Sequence, residues 1–288
     1  MQELRNTARN GRQNTWTPVR AADGKCADCL LYGKCFCQSV DADMPEINQS
    51  VRLRRVRCDE ILFQQGETAS FAGVLRSGIL RIEHMRQDGD RLLLGLVFPG
   101  TIFGVFDRRN HVCSLEAAAD SEVCIFQPRM LERLKNNREM YRRLLKSADR
   151  QLGFQLDMIW RRGALSSRER IIAFLLMAAK NMPVEHQCDG SLIINIGISR
   201  KDWAAWSDVS VESISRTLSQ LSERDLVTYL EPGRYRVRNL RALSSLAGLD
   251  SEPDTGQRSE SACLAPAPAQ ARLRAVNADD VGNRMMNE

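Results

Sequence analysis

The order of elements between residues 199 and 238 is the tightest constraint this sequence places on its fold. Ser199 stands where a helix cap is needed, and the helix it starts carries Trp203 and Trp206. Asp208-Val-Ser interrupts that helix, and a second one starts after Ser210 and runs through Gln220 to about Glu223. Leu226-Val-Thr-Tyr-Leu and Arg234-Tyr-Arg-Val-Arg, joined through Glu231-Pro-Gly, predict a β-hairpin. Helix, short turn, helix and hairpin in that order describe a winged helix-turn-helix.

The second helix has two unlike faces. Ile214, Leu218 and Leu221 fall on one side by steps of four and three and are expected to bury against the preceding helix. Val211, Glu212, Ser215 and Arg216 then look outward from the first two turns. Their chemistry suits the edges of bases in the major groove. Arginine can fork onto guanine O6 and N7, glutamate can accept from the cytosine amino group, and valine or serine can touch a thymine methyl. Alone, Glu212 and Arg216 would read as an exposed i,i+4 pair worth about 0.3–0.5 kcal/mol; within a winged helix-turn-helix the DNA reading is preferred. Residues 161–241 hold 13 Lys or Arg against 9 Asp or Glu, a net of +4, so contacts to phosphate must be local. Arg200, Lys201, Arg234 and Arg236 are expected to make them.

Upstream, the texture is different. From Ile61 to about Phe126, apolar or alternating runs such as Phe71-Ala-Gly-Val-Leu, Leu92-Leu-Leu-Gly-Leu-Val-Phe and Val123-Cys-Ile-Phe recur between glycine turns, which predicts an antiparallel barrel or roll. A short helix is compatible with residues 44–57. Beyond Pro128 the pattern becomes helical, and Tyr141, Leu145, Ala148, Leu152, Gln155 and Ile159 follow steps of four and three, a heptad seam that wants a partner helix. The plainer alternative is that this stripe packs on the chain's own barrel. Ser166, with Glu169 in the first turn, caps a further helix through Ala179; a loop then passes Pro183 and Gly190 before a strand at Leu192-Ile-Ile-Asn-Ile. The divisions expected are a flexible arm (1–25), a cysteine segment and sensor roll (26–127), a dimerisation helix (128–162), a winged helix-turn-helix (163–248) and a disordered tail (249–288).

At 288 residues and 43% hydrophobic the chain can bury two ordinary cores. No apolar run approaches the ~20 residues of a membrane span, and the first residues lack the apolar stretch of a signal peptide, so a cytoplasmic protein with no membrane partner is expected. In a reducing compartment the dense run Cys26-Ala-Asp-Cys29-Leu-Leu-Tyr-Gly-Lys-Cys35-Phe-Cys37 points to a metal or iron-sulfur site rather than to disulfides. Zinc held by Cys26, Cys29, Cys35 and Cys37 is one candidate, although its second pair is C-x-C rather than the usual C-x2-C. Cys58 and Cys188 read as packed or incidental thiols, and Cys263 as an incidental one in the tail. His84, His111 and His186 are scattered and read as ordinary histidines.

Val211-Glu-Ser-Ile-Ser-Arg216 resembles the recognition helix of the FNR branch of the CRP/FNR transcription regulators, and the similarity extends over about residues 20–248. The resemblance implies an α+β fold: an N-terminal cyclic-nucleotide-binding-type β-roll, a long dimerisation helix and a C-terminal winged helix-turn-helix. It also implies a homodimer that recognises TTGAT and its inverted partner through Glu212, Ser215 and Arg216, helped by Val211, with double-stranded DNA and RNA polymerase as partners. The C-x2-C-x5-C spacing at Cys26, Cys29 and Cys35 resembles the N-terminal ligands of the oxygen-sensing members, and Ala119-Asp-Ser-Glu-Val-Cys124 resembles the segment that carries their fourth. A 4Fe-4S cluster on Cys26, Cys29, Cys35 and Cys124 is therefore implied, with Cys37 spare and Cys113 the competing distal ligand. The glutamate and the Arg-Ser pair by which relatives bind cyclic AMP are missing from Phe103–Ser114, so no cyclic nucleotide is expected; Arg108 and Arg109 could hold some other anion, but a solvated loop is the preferred reading. Gln155 also departs from the acidic residue the FNR relatives carry in the dimer helix. An oxygen- or redox-responsive regulator of anaerobic or microaerobic genes is the expectation. A zinc or thiol regulator on the same fold is the alternative. An iron-sulfur enzyme is remote, since no C-x3-C-x2-C motif, phosphate loop or nucleophile–base arrangement is present.

Overall fold

Residues 51–104, 110–126 and 138–249 are described by a computed structural model. The expected arm, Cys26, Cys29, Cys35, Cys37, Arg108, Arg109, Cys263, the tail beyond Leu249 and the 128–137 part of the expected dimerisation helix lie outside the described residues.

Eight short antiparallel strands form the first region: β1 (Arg52–Val56), β2 (Ile61–Phe63), β3 (Ala72–Ser77), β4 (Leu80–Met85), β5 (Arg91–Val97), β6 (Ile102–Phe103), β7 (Ser114–Ala117) and β8 (Ser121–Phe126). They make two four-stranded sheets, ordered β1-β8-β3-β6 and β2-β7-β4-β5. Residues 52–57 therefore do not belong to a helix. The arginine-rich β1 is drawn into a ladder by β8, from Arg52↔Ile125 to Val56↔Ser121, and these long-range bonds outweigh its local preference. Alternate residues turn inward, so Val56, Leu75, Leu80, Phe103, Leu115 and Val123 share one core between the sheets.

His111 is buried at that core, 5% exposed. Its ring stacks on Phe63 with centroids 3.7 Å apart, and among the described residues its Nε2 has no partner. Burial pushes its pKa below the ordinary histidine value. The folded form thus favours neutral imidazole. The stability this contributes is present above the unfolded pKa of about 6.5 and is lost as the pH falls from there through the lowered folded value. Melting at pH 7 and pH 5.5 should show a drop in the wild type that is smaller in His111→Phe, which keeps a stacked ring without a titrating group.

Helix α1 (Arg138–Ala164) spans 27 residues, about 40 Å at 1.5 Å per residue. One face lies on the roll: Phe154 meets Phe98 at 5.9 Å, Met158 is buried, and the Gln151 amide donates to the Ile102 carbonyl. Gln155 belongs to this face, not to the seam, because a Cβ built on Gly95 of β5 would lie 2.9 Å from its amide nitrogen. Leu156 takes its place in an outward stripe with Tyr141, Leu145, Leu152 and Ile159, each 46–67% exposed.

Helix α2 (Ser167–Asn181) opens with a full capping box between Ser166 and Glu169 and buries Ile171, Ile172, Phe174 and Leu175. The loop expected at 183–190 contains a strand, β9 (Val184–His186), paired with β10 (Leu192–Asn195). Then follow α3 (Arg200–Ser207), α4 (Val211–Glu223), the wing strands β11 (Val227–Glu231) and β12 (Arg234–Val237), and α5 (Leu240–Leu246). The wing sheet is ordered β11-β12-β10-β9. Gly233, at φ +80°, makes its turn, where a Cβ would come within 2.8 Å of the Ile196 carbonyl. Among the described residues no helix is long and apolar enough to cross a membrane.

Roll and winged region meet at Arg81 of β4. It is 9% exposed and lies 2.7 Å from Asp59, 3.3 Å from Glu83 and 3.3 Å from Asp202 in the first turn of α3, with Glu116 also bonded to it. Four carboxylates around one guanidinium leave an excess of negative charge. Burial, with repulsion from Glu116, holds the Glu83 carboxyl above its usual range.

Candidate nucleic-acid interface and ligand thiols

Helix α4 is set by its caps and its core. Asp208 ends α3 in the left-handed region at φ 51°, and Ser210, extended at φ −79° and ψ 157°, accepts from the Ser213 amide to start α4. Ile214 and Leu221 are fully buried and Leu218 packs partly, as their spacing predicts; Thr217, which carried no apolar signal, is buried beside them. Trp203, Phe174, Trp206 and Tyr235 form the aromatic centre beneath, with ring centroids 4.7–5.8 Å apart.

Val211, Glu212, Ser215 and Arg216 are all exposed, so the structure brings the four together on one outward face. Glu212 does not pair with Arg216 among the described ion pairs. Bonds to its own backbone amide and to the Ser210 hydroxyl, helped by the charge of Arg216, hold its carboxyl below the usual carboxylate range. Arg216 instead leans on Ser213, 3.5 Å away. Ser213 has no base-reading signal of its own; its position three before Arg216 on the same helix is what brings the two side chains together.

The expected phosphate contacts are unequal. Lys201 is exposed at the start of α3. Arg200 lies 5.5 Å from the ring centres of both Trp203 and Tyr235, which fixes its guanidinium near the helix N-terminus. Arg234 is gripped by Glu185 at 2.7 Å and Glu231 at 2.6 Å, so its charge is answered locally. Arg236 is half-buried, and among the described residues its Nε has no partner.

Cys124 sits at the middle of β8, facing Leu53 of β1 and Val74 of β3 across the ladder. Its neighbours Val123 and Ile125 enter the core, so alternation turns Cys124 to the outer side of the sheet, where it is half-exposed. Cys113 is half-exposed as well but faces a different surface. It lines a cavity of about 900 Å³ between the roll and α1, and burial pushes its thiol pKa up. Cys58 is exposed and its thiol lies 3.4 Å from the Ala118 carbonyl, and Cys188 is also exposed. Among the described residues no three metal-ligating side chains converge. The cavity also takes Arg143, Lys146 and Arg150 from α1. Their three- and four-residue spacing puts them on one helix face.

Two family models match the chain: a cyclic nucleotide-binding domain over residues 53–138 and a Crp-like helix-turn-helix domain over residues 169–246. The nitrogen fixation regulation protein FixK of Bradyrhizobium diazoefficiens is 26% identical over 72% of this chain and 88% of its own length. The transcriptional activator protein FnrL of Cereibacter sphaeroides is 23% identical over 79% of this chain and 94% of its own. The solved structure of FixK2 from Bradyrhizobium japonicum shares the fold with a TM-score of 0.62 at 23% identity, covering 70% of this chain and 98% of that one. With a roll, a long helix and a winged helix-turn-helix in this order, and regulators as its relatives, the chain belongs to the FNR branch of the CRP/FNR family of transcription regulators.

Proposed function

We propose that this regulator responds to oxygen or redox state, pairs as a homodimer along α1, and binds TTGAT-N4-ATCAA-like sites to control anaerobic or microaerobic genes, with RNA polymerase as the partner at its promoters. The observation that carries this reading is the outward face of α4, where Val211, Glu212, Ser215 and Arg216 stand exposed above a fully buried Ile214 and Leu221. Arg200 and Lys201 at the start of α3 are the natural backbone contacts. Arg234, already between two carboxylates, is the weaker candidate.

Cys26, Cys29, Cys35 and Cys124 would hold a 4Fe-4S cluster, and such a group supplies an oxygen-labile iron-sulfur centre when bound. The position of Cys124 on the outer side of β8 favours it over Cys113, which lines the cavity, as the distal ligand, because an arm could meet it without entering the roll. A thiol whose pKa is raised by burial, as at Cys113, is also a poorer thiolate donor. With its ligand on β8, the arm is tied to the domain against which α1 packs. The absence of the glutamate and the Arg-Ser pair supports a sensor that does not use a cyclic nucleotide.

An electrophoretic shift on TTGAT-N4-ATCAA, against the same duplex with both half-sites scrambled, tests the reading. Equal affinity for the two under anaerobic conditions would sink it. Pairing is tested separately with Leu152→Glu. Leu152 is 59% exposed on α1, so the monomer should fold normally. A glutamate there is expected to weaken self-association by at least about tenfold, since a Leu buried between partners is worth ~1.5–3 kcal/mol. Sedimentation velocity of the wild type and the variant gives the measurement.

A further inference from the structure

Helix α3 is held at both ends by arginines that lie outside it. At its start, the Asp202 carboxylate is bonded to Arg81 of the roll at 3.3 and 3.4 Å. At its end, the last carbonyls of a helix have no partner within the helix and need donors from elsewhere. Here they find two guanidinium groups. Arg162, near the end of α1, donates through Nη2 to the Ala205 and Trp206 carbonyls at 3.4 Å each, and to the Leu93 carbonyl of β5 at 3.3 Å. Arg170, in the first turns of α2, donates through Nε to the Ser207 carbonyl at 2.8 Å and through Nη2 to the Asp208 carbonyl at 2.9 Å.

Arg170 also reaches the other way. Its Nη1 donates to the Arg162 and Leu165 carbonyls at the end of α1, at 3.1 and 3.3 Å. One rigid, planar fork thus bridges the C-termini of two helices, where their dipoles favour a cation. The junction is tight: the void among Met158, Arg162, Arg170, Ala173 and Trp206 is about 10 Å³, no more than one water requires. Two residues, Val209 and Ser210, separate the Asp208 carbonyl from the first residue of α4.

We propose that Arg162 and Arg170 are positioning residues for DNA recognition. They lock the turn before α4 to the end of α1, and so fix the angle between the paired helices and the recognition helix. In a dimer joined along α1, that angle sets how far apart and at what pitch the two copies of α4 meet the groove. The clamp therefore selects the spacing of half-sites, while the side chains of α4 select their sequence. This inference rests on the reading of α1 as a seam and of the target as a palindrome.

The test uses full-length protein prepared without oxygen, with Arg162→Met and Arg170→Lys as variants and circular dichroism as the check on fold. Affinities are measured on TTGAT and ATCAA separated by four, three and five base pairs, and on a single half-site. The wild type is expected to prefer the four-base-pair spacer. In the variants that preference should fall at least about tenfold, the equilibrium equivalent of one lost charged hydrogen bond, with single half-site affinity unchanged. A merely structural role would lower affinity for every duplex by the same factor, and that result overturns the proposal. If Arg170→Lys fails to fold, Arg162→Met alone carries the comparison, since its loss leaves the capping of α2 untouched. A wild type that prefers the four-base-pair spacer alongside variants that keep the same preference overturns the clamp alone. A wild type with no spacer preference overturns the palindromic reading and the clamp with it.

Discussion

Cys124→Ala is expected to abolish the iron carried by the full-length protein purified without oxygen, from about four atoms per chain to none, because a cubic cluster takes four thiolates. Cys113→Ala is expected to leave the iron unchanged. The two residues are separated by only 11 positions, yet they face different surfaces: Cys124 the outer side of β8, Cys113 the cavity beside α1. Iron and sulfide content, with the anaerobic absorbance spectrum before and after air, makes the comparison. Loss of iron in Cys113→Ala and retention in Cys124→Ala would exchange the two assignments. A colourless wild type with zinc, indifferent to both substitutions, would return the site to Cys26, Cys29, Cys35 and Cys37 alone.

The elements legible in the sequence are those whose signals are local. Ser166, Ser199 and Ser210 cap α2, α3 and α4 where expected, and the stripe through Ile214 and Leu221 fixes which face of α4 is buried. Elements made by distant partners were not legible. β1 is Arg-Leu-Arg-Arg-Val and is a strand only because β8 pairs with it; β9 has three residues and is held by β10. The seam shows a subtler limit. A strict heptad reading places Gln155 beside Leu152, but an α-helix turns 3.6 residues per turn, and the stripe drifts over α1 until Leu156 replaces it. The Gln155 amide lies against the roll at Gly95, so the lack of charge at this position bears on the roll–helix contact. Arg81 and Arg170 carry no motif at all. Arg81 and Asp202 lie 121 positions apart, and Arg170 lies 38 from the Asp208 carbonyl, distances that only the fold closes.

Arg216→Ala should reduce affinity for TTGAT-N4-ATCAA by ~1–3 kcal/mol per half-site, about 5- to 150-fold, the cost of losing a forked contact to guanine. The folded protein offers little else for Arg216 to lose. It is exposed on α4, and its one described bond is the 3.5 Å contact to Ser213, so melting should be unchanged. The form of the loss is more telling than its size. A base contact carries discrimination, so the variant should tolerate replacement of the half-site guanine that the wild type rejects. A phosphate contact carries salt dependence, and its removal would lower the salt slope by about one per half-site without relaxing sequence preference. Lys201→Ala supplies that second pattern as an internal comparison, since Lys201 is exposed at the start of α3, where backbone phosphate is expected. If Arg216→Ala weakens binding to all duplexes equally and flattens the salt dependence, Arg216 belongs with Lys201. Guanine would then have to be read by another residue of α4, with Glu212 excluded because a carboxylate cannot donate to O6 or N7.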